Sequence, residues 1–502
     1  MIYTIDNSPN ETGFTATPEQ TEIIDFALES TENLIINALA GAAKSSTLRL
    51  LAKYMPVQPI LSLAFNKRIV DHMIKILPGH VKPSTANSIC HRVWGTAIGR
   101  RLTVDTKKSY NLIKAQIDLL PSGGERMDAY GLFAEISAAL RRAKSQGYVP
   151  PRSVSGKSLV TQDEFYGGLE EAPDGWLIDL IDRCLAEGIR QAYEGLIDFD
   201  DQPFMATLFG GSFPQFKVVM ADEAQDFNLI NHAMVGRLVG PQTRLIAVGD
   251  PWQSIYAFRG AATNSMALLQ ERFNMHEMTL SVSFRCPRAV VRNAHRRVPH
   301  MKWPDWAIEG TVKTLPEWGP GTIEDGAAII CRSNAPLLKC ALALLRAKRG
   351  VNLVGTDLGP QLVRALKKFG DPNMPQREVF DAIDIWESEK LAKARDPANA
   401  TDRAECLRVF ARFGPTLGSA IALAEHIFAS TGTIQLLSGH KSKGLEWDTV
   451  YHLDPHRVPT PFAKTPEARE QELNVRYVIE TRAKKSLYFI TMDGYTGLTE
   501  DD

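Results

Sequence analysis

Cysteine is scarce: there are six in 502 residues, and none forms a C-x-x-C pair. That excludes a zinc ribbon or disulfide framework and points to a reducing compartment. Excess charge of either sign is missing too. Lys and Arg total 57 against 58 Asp and Glu, a net charge of −1. No global basic field exists to hold nucleic acid, so any such binding needs a local groove. No long uncharged apolar run occurs, which predicts no membrane span. The start, MIYTIDNSPNETG, has no basic segment leading into an apolar run, which predicts no secretory signal. What is present is a globular mix, 44% apolar and 23% charged. The length allows roughly three to five domains of about 100–200 residues each.

The first strong pattern is a helix start. Thr17 offers a cap, Pro18 the first helical position, and Ile23, Ile24, Ala27 and Leu28 a stripe at helical spacing. The apolar run Leu34 to Ala38 then reads as a buried parallel strand, and Pro59 to Phe65 as another, each followed by a helical stretch. Alternation of this kind predicts an α/β fold with parallel sheets and helices on both faces. From about Trp94 to Leu196 the spacing is helical throughout. Strand-like runs return at Lys217–Ala221 and Arg244–Val248. A second α/β unit is expected from near Met278, with strands at Ala327–Ile330 and Thr449–Leu453. Between Asp371 and Ser430 the pattern is again polar and helical, so each sheet is expected to carry a mainly helical insertion.

The chemistry-bearing residues follow strand ends. Gly41-Ala42-Ala43-Lys44-Ser45-Ser46 joins a strand to a helix, the context of a phosphate loop. There backbone N–H groups cradle phosphates, the lysine supplies charge and the Ser45 hydroxyl can bind Mg²⁺. The usual motif has glycine where this chain has Ala38 and Ala43. An ordinary strand–turn–helix with a solvated lysine is the plainer alternative. Asp222-Glu223, directly after a buried run, tips the balance. Ligands in open α/β sheets bind at the carboxyl ends of strands. There one carboxylate would hold Mg²⁺, and the second would orient or deprotonate the attacking water. Gln253, after a third strand, is placed to sense a terminal phosphate; a plain turn is equally consistent with it alone.

Together these segments resemble the UvrD/Rep/PcrA-like group of superfamily 1 DNA helicases. Asp222-Glu223-Ala224-Gln225-Asp226 resembles motif II, GDPWQSIYAFRGA from Gly249 motif III, and Ser283-Phe284-Arg285-Cys286-Pro287 motif IV. GHKSKGLEWD from Gly439 resembles motif V, and QELNVRYVIETRAKK from Gln471 motif VI. Gln20 matches the adenine-reading glutamine. The matches run in family order from residue 17 to 485. The shortened Ala64-Phe65-Asn66-Lys67 and the Asp198-Phe199-Asp200-Asp201 segment look more like the F-box-helicase-like and phage-encoded branch, although no F-box segment is read ahead of Gln20.

The resemblance implies two RecA-like parallel-sheet domains with ATP in the cleft between them. The first would span 1–95 and 197–277, with a helical insertion at 96–196. The second would span 278–370 and 431–495, with a reduced insertion at 371–430. Gln20, Gly41, Ala42, Ala43, Lys44, Ser45, Ser46, Phe284, Gly444 and Glu446 would hold the nucleotide, Phe284 stacking on adenine and Glu446 facing the sugar. Lys44, Asp222, Glu223, Gln253, Arg285 and Arg482 would carry catalysis, with Ser45 and Asp222 on Mg²⁺. Arginines on a transferring phosphoryl group can be worth about 10³–10⁵ in rate. Phe65, Asn66, Thr85, Tyr256, Phe258, Arg259 and His440 would line a single-stranded DNA track, where aromatic stacking contributes about 1–3 kcal/mol per base. A place for Phe65 and Phe258 in the core is the blander alternative.

The leading expectation is therefore an ATP-driven 3′-to-5′ translocase that unwinds duplex DNA. Its partners would be single strands and single-strand/duplex junctions, with a protein partner or second copy improving unwinding past a small second insertion. The cytoplasm of a bacterial or phage-infected cell, or a eukaryotic nucleus, is the expected location. The rivals are a DNA-stimulated ATPase that strips proteins from DNA, and a non-catalytic DNA-binding scaffold. Ala43 raises a local question. Glycine before the lysine permits backbone angles that a Cβ hinders. Either Ala43 is strained or the loop is re-shaped around alanine, and the absence of glycine at both 42 and 43 favours re-shaping.

Overall fold

The computed structural model describes residues 4–5, 14–64, 67–121, 123–151, 156–169, 173–255, 264–355, 358–393 and 397–496. The chain forms two compact units. One contains Met1–Leu39 and Ala43–Leu280, the other Ala40–Ala42 and Ser281–Asp502.

The first unit is built on six strands: β1 (Leu34–Ala38), β2 (Ile60–Ala64), β3 (Val81–Thr85), β4 (Val218–Ala221), β5 (Arg244–Gly249) and β6 (His276–Leu280), in the order β6-β1-β5-β4-β2-β3. All neighbours are parallel. The near-continuous apolar runs of β1, β2 and β4 are what a sheet covered on both faces requires. The second unit repeats the plan with β7 (Thr311–Thr314), β8 (Ala328–Cys331), β9 (Val351–Leu353), β10 (Ile434–Ser438), β11 (Trp447–Leu453) and β12 (Ala483–Ile490). Its order is β7-β12-β11-β8-β10-β9, again all parallel. These are two RecA-like sheets. The second unit's main segment begins at Ser281, and Met278 pairs with Ile36 as part of edge strand β6. Strand β6 is half polar (HEMTL), so the run by itself did not read as part of the first sheet.

The two helical segments differ in kind. Helices Lys108–Asp118, Gly124–Gly131, Phe133–Gln146, Gln162–Gly167 and Gly175–Tyr193 enclose a core of their own around Ile113, Ile136, Leu140, Phe165 and Leu185. A two-residue parallel pairing of Thr103–Val104 with Leu196–Ile197 closes the segment's two ends. Helices Gln376–Lys393, Pro397–Arg412 and Leu417–Ala429 have no such separate core. Val379, Ile383, Leu407 and Phe410 share one buried cluster with Ile329, Leu436 and Tyr451 of the second sheet. The 371–430 segment is thus a cover layer on that sheet.

A buried ionic network ties the first insertion to its RecA-like unit. Lys108 Nζ donates to Asp201 at 2.7 Å and to the Gly188 carbonyl at 2.8 Å. Lys144 Nζ reaches Asp198 at 2.7 Å and Asp201 at 2.8 Å. The backbone N–H groups of Asp198 and Asp201 donate to each other's carboxylates. Burial alone would raise the Asp198 carboxyl, but Lys144 and Ser109 outweigh it and hold it down at about 2. Removing one partner of a buried pair strands the other charge, which costs about 3–5 kcal/mol. Lys144→Met is expected to lose about that much in denaturant unfolding. A loss under about 1 kcal/mol would mean that the network adds little to stability.

His232 adds a pH dependence. It is buried, with Nε2 2.9 Å from Ser265 Oγ. Burial first, and Arg272 second, push its pKa from 6.5 down to about 4. The folded state therefore binds fewer protons than the unfolded chain between those values. The contribution is fully present above pH 6.5 and is lost as pH falls towards 4, at no more than about 1.4 kcal/mol per pH unit. His232→Gln is expected to flatten that part of the stability profile. An unchanged slope would assign the pH response to other groups.

Candidate nucleotide and DNA site

Strands β1, β5 and β4 are adjacent and parallel. Their carboxyl ends therefore set the phosphate loop, Asp250–Gln253 and Asp222–Glu223 side by side. Lys44 opens the helix Lys44–Tyr54, whose first turn has no side-chain cap. Uncapped N–H groups at a helix start, together with the helix dipole, favour an anion. Ser45 is exposed, Ser46 is half-buried, and Thr47 is buried with its hydroxyl donating to the Ala43 carbonyl at 3.2 Å.

Ala43 sits at φ 56°, ψ 40°, in the left-handed region. The expectation of a loop re-shaped to suit alanine is therefore incorrect: the loop keeps the backbone that glycine would adopt freely, and alanine is strained in it. Gly41, at φ 74°, is fixed by space as well. A Cβ there would lie 2.6 Å from Arg285 Cβ and 2.7 Å from Ser283 Oγ.

Lys44 Nζ lies 3.0 Å from Glu223 Oε2. Burial is the largest influence on the Lys44 ammonium and pulls its pKa down. Glu223, Asp222 and Asp250 together outweigh it and leave the pKa above its ordinary value. Asp222 is buried, and its Oδ1 accepts the Glu223 N–H at 2.8 Å. Burial, then the charge of Glu223, push its pKa up to about 6 against the opposing pull of Lys44. A buried carboxylate crowded by a second one fits a divalent cation, which would relieve the repulsion. Asp222 and the exposed Ser45 hydroxyl are the groups that would hold Mg²⁺.

Two residues that the sequence reading did not single out complete this site. Gln225 Nε2 donates to Glu223 at 2.5 Å, and its Oε1 accepts the Asp250 N–H at 3.0 Å. Asp250 Oδ2 in turn accepts from Gln253 Nε2 at 2.7 Å. Gly249 is part of the same device, since a Cβ there would meet Gln225 Oε1 at 2.4 Å. The signal was available in the Gln225 and Asp250 side chains flanking strand ends, but their pairing needs the β4–β5 adjacency. Gln20 lies against the phosphate-loop helix. Its Nε2 donates to Thr47 Oγ1 at 2.9 Å, and its Oε1 accepts the Thr17 N–H in a capping box.

In the second unit, Arg285 Nε donates to Glu446 at 2.6 Å, joining two predicted site residues that are 161 positions apart. Gly444 has φ 82°. Arg482 is buried, its Nε donating to the Val478 carbonyl at 2.9 Å and its guanidinium to Leu445 at 3.2 Å. Glu446 and Arg482 precede the adjacent strands β11 and β12, so this cluster sits at the amino ends of strands. Phe284 is half-buried and donates its N–H to the Gly41 carbonyl at 2.9 Å. Four arginines between positions 288 and 297 have internal partners: Arg288 on the Asp305 carbonyl, Arg292 on Glu309, Arg296 on Asn293, and Arg297 on Glu470 and Asn474.

Of the predicted DNA contacts, Phe65, Asn66, Tyr256, Phe258 and Arg259 lie outside the described residues. Thr85 caps the Ala86–Ile98 helix by accepting the Ser88 N–H at 3.1 Å. His440 is half-buried at the carboxyl end of β10. Phe199 was not singled out in the sequence. It is 58% exposed, and its carbonyl accepts from Asn87 Nδ2 at 2.6 Å, two residues from Thr85. The Asp198–Asp201 network holds the turn that displays it.

Residues 211–274 match the UvrD/REP helicase N-terminal domain, and residues 412–494 match the UvrD-like helicase C-terminal domain. Both matched segments are thus similar to UvrD-like helicase domains. The chain is 25% identical to F-box DNA helicase protein 1 of Schizosaccharomyces pombe over 96% of this chain and 58% of that protein. It is likewise 25% identical to F-box DNA helicase 1 of Gallus gallus, over 94% and 48%. Similarity to the Escherichia coli ATP-dependent DNA helicase Rep is higher but local, 34% over 16% of this chain and 13% of that protein. The chain thus spans about half the length of the F-box relatives. Among the described residues no helix is long and apolar enough to cross a membrane.

Left-handed alanine costs roughly 1–2 kcal/mol, while glycine's extra unfolded-state freedom takes back about 0.4–1 kcal/mol. Ala43→Gly is therefore expected to leave stability equal or raise it by up to about 1.5 kcal/mol, and to tighten nucleotide binding. A clear loss in both thermal stability and ATP affinity would show that the alanine Cβ makes a contact the loop needs.

Proposed function

We propose that the chain is an ATP-driven motor that moves 3′-to-5′ on single-stranded DNA and couples hydrolysis to duplex unwinding. The observation that carries this reading is the Lys44–Glu223–Asp222 cluster beside an uncapped helix start. Phosphoryl transfer is catalysed mainly by positioning and charge, and these residues supply both. The first-turn N–H groups and Lys44 bind the phosphates. Mg²⁺ on Ser45 and Asp222 would supply further charge to them. Glu223 is held by Lys44 and Gln225. When Lys44 turns to phosphate, Glu223 is released to accept a proton from the attacking water. Gln253, oriented by Asp250, is assigned to sensing the terminal phosphate, and Arg285 and Arg482 to neutralising the charge on it. Gln20 is assigned to adenine, Phe284 to stacking on it and Glu446 to the sugar.

The DNA track is assigned to Thr85, His440 and Phe199 together with Phe65, Asn66, Tyr256, Phe258 and Arg259. The F-box DNA helicase relatives support DNA as the substrate. The 371–430 layer supports a second reading alongside the first. It has no independent core to project towards a duplex, so protein displacement or partner-assisted unwinding at junctions suits the isolated chain better than unaided processive unwinding.

The test is ATP turnover with and without oligonucleotides, and displacement of strands from 3′-tailed and 5′-tailed duplexes. Lys44→Ala is expected to abolish turnover and keep single-strand affinity. Glu223→Gln should bind ATP and hydrolyse it very slowly. Phe199→Ala should weaken single-strand binding by about 1–3 kcal/mol without lowering the melting temperature. Turnover in Lys44→Ala equal to the parent would sink the phosphate-loop assignment, and a preference for 5′-tailed substrates would reverse the polarity.

A further inference from the structure

Trp306 is a large apolar side chain in an unusual position. It is 64% exposed, and Ile308 beside it is 55% exposed. An exposed indole adds nothing to the core, yet the loop that displays it is firmly mounted. Pro304 to Ala307 form a turn closed by the Ala307 N–H on the Pro304 carbonyl at 2.9 Å. The next residues are stapled to the start of the Arg288–Ala294 helix: the Arg288 N–H donates to the Ile308 carbonyl at 3.0 Å, and the Ala289 N–H to Glu309 at 2.9 Å. The Arg288 guanidinium also holds the Asp305 carbonyl, and Arg292 pairs with Glu309. The neighbouring Trp303 is used differently: it is half-buried and stacks on His295.

That mounting directs Trp306 to one place. Its ring centroid is 6.2 Å from that of Phe284, with the planes 31° apart. Phe284 is itself tied to the phosphate loop through the Gly41 carbonyl. Aromatic rings attract over centroid distances of roughly 4.5–7 Å, so Phe284 and Trp306 form one aromatic pair, and a base stacked on Phe284 would add to that pair. We propose that Trp306 is a second ring of the nucleobase subsite, giving it a preference for purine nucleoside triphosphates. The inference rests on the assignment of Phe284 to the base. Both rings are carried by the motif IV segment and the loop stapled to it, so the subsite is preorganised and loses little freedom when the base enters.

The experiment uses the full chain as parent, Trp306→Ala and Trp306→Phe, with ATP and UTP as substrates and ADP as a ligand for tryptophan emission. Trp306→Ala is expected to raise KM for ATP about 2- to 10-fold, with kcat and melting temperature nearly unchanged. KM for UTP should move less, because a pyrimidine offers less area to stack. Trp306→Phe should restore most of the ATP affinity. ADP should alter the emission of the parent, and that effect should be smaller in Trp306→Phe. An unchanged KM for ATP in Trp306→Ala, or equal rises in KM for ATP and UTP, overturns the proposal while leaving the ATPase reading in place. A parent that neither turns over ATP nor responds to ADP overturns the nucleotide reading and this proposal with it.

Discussion

The ion pair between Lys44 and Glu223 is the interaction on which the first unit's chemistry depends. Lys44 begins a helix that has no capping side chain, and it faces Glu223, Asp222 and Asp250. Without the ammonium, three acidic groups would crowd a poorly hydrated corner at the carboxyl ends of β1, β4 and β5. Burial first, and then the charge of Glu223, hold the Asp222 carboxyl above its ordinary value even with Lys44 beside it. The site is thus charged for a ligand that brings both anionic oxygens for Lys44 and a divalent cation for the carboxylates. A metal–nucleotide complex meets both demands.

The surrounding polar groups spread that constraint through the sheet. Gln225 bridges Glu223 to the Asp250 backbone, and Asp250 orients Gln253. A shift of one member is felt by the next, because each donor has an assigned acceptor. Strain at Ala43 and at Glu223, which also has a left-handed φ of 52°, falls on the two residues that adjoin this chain of contacts. Left-handed backbone at non-glycine positions persists only where the surroundings over-determine it. At Glu223 the bonds from Lys44 and Gln225 supply part of that hold.

The two helical segments show how core size sets independence. The first has enough apolar side chains on five helices to enclose its own interior, and it is fastened to the sheet by buried lysine–aspartate pairs. The second has three helices whose apolar faces are satisfied by the sheet beneath them. A short insertion cannot bury enough area alone, so it becomes part of the second unit's core.

Much of this was legible in the chain. Apolar runs bounded by turns placed β1, β2, β4, β5, β8 and β11 within a residue or two, because buried parallel strands need apolar side chains on both faces. The positions of Lys44, Asp222, Glu223 and Gln253 at strand ends followed from the same pattern, and the motif order carried the family. Other features depend on neighbours that are distant in sequence. Half-polar β6 reads as part of the first sheet only once β1 is beside it. Arg285 meets Glu446, and Gln225 meets Asp250, only because particular strands are adjacent. The left-handed angle of Ala43 is decided by packing around the loop, since alanine alone prefers other backbone regions. Local sequence therefore determined which elements form and which chemistry they carry. Tertiary packing decided which side chains meet, which charges are buried and where the backbone is strained, because those energies arise between segments that local pattern cannot pair.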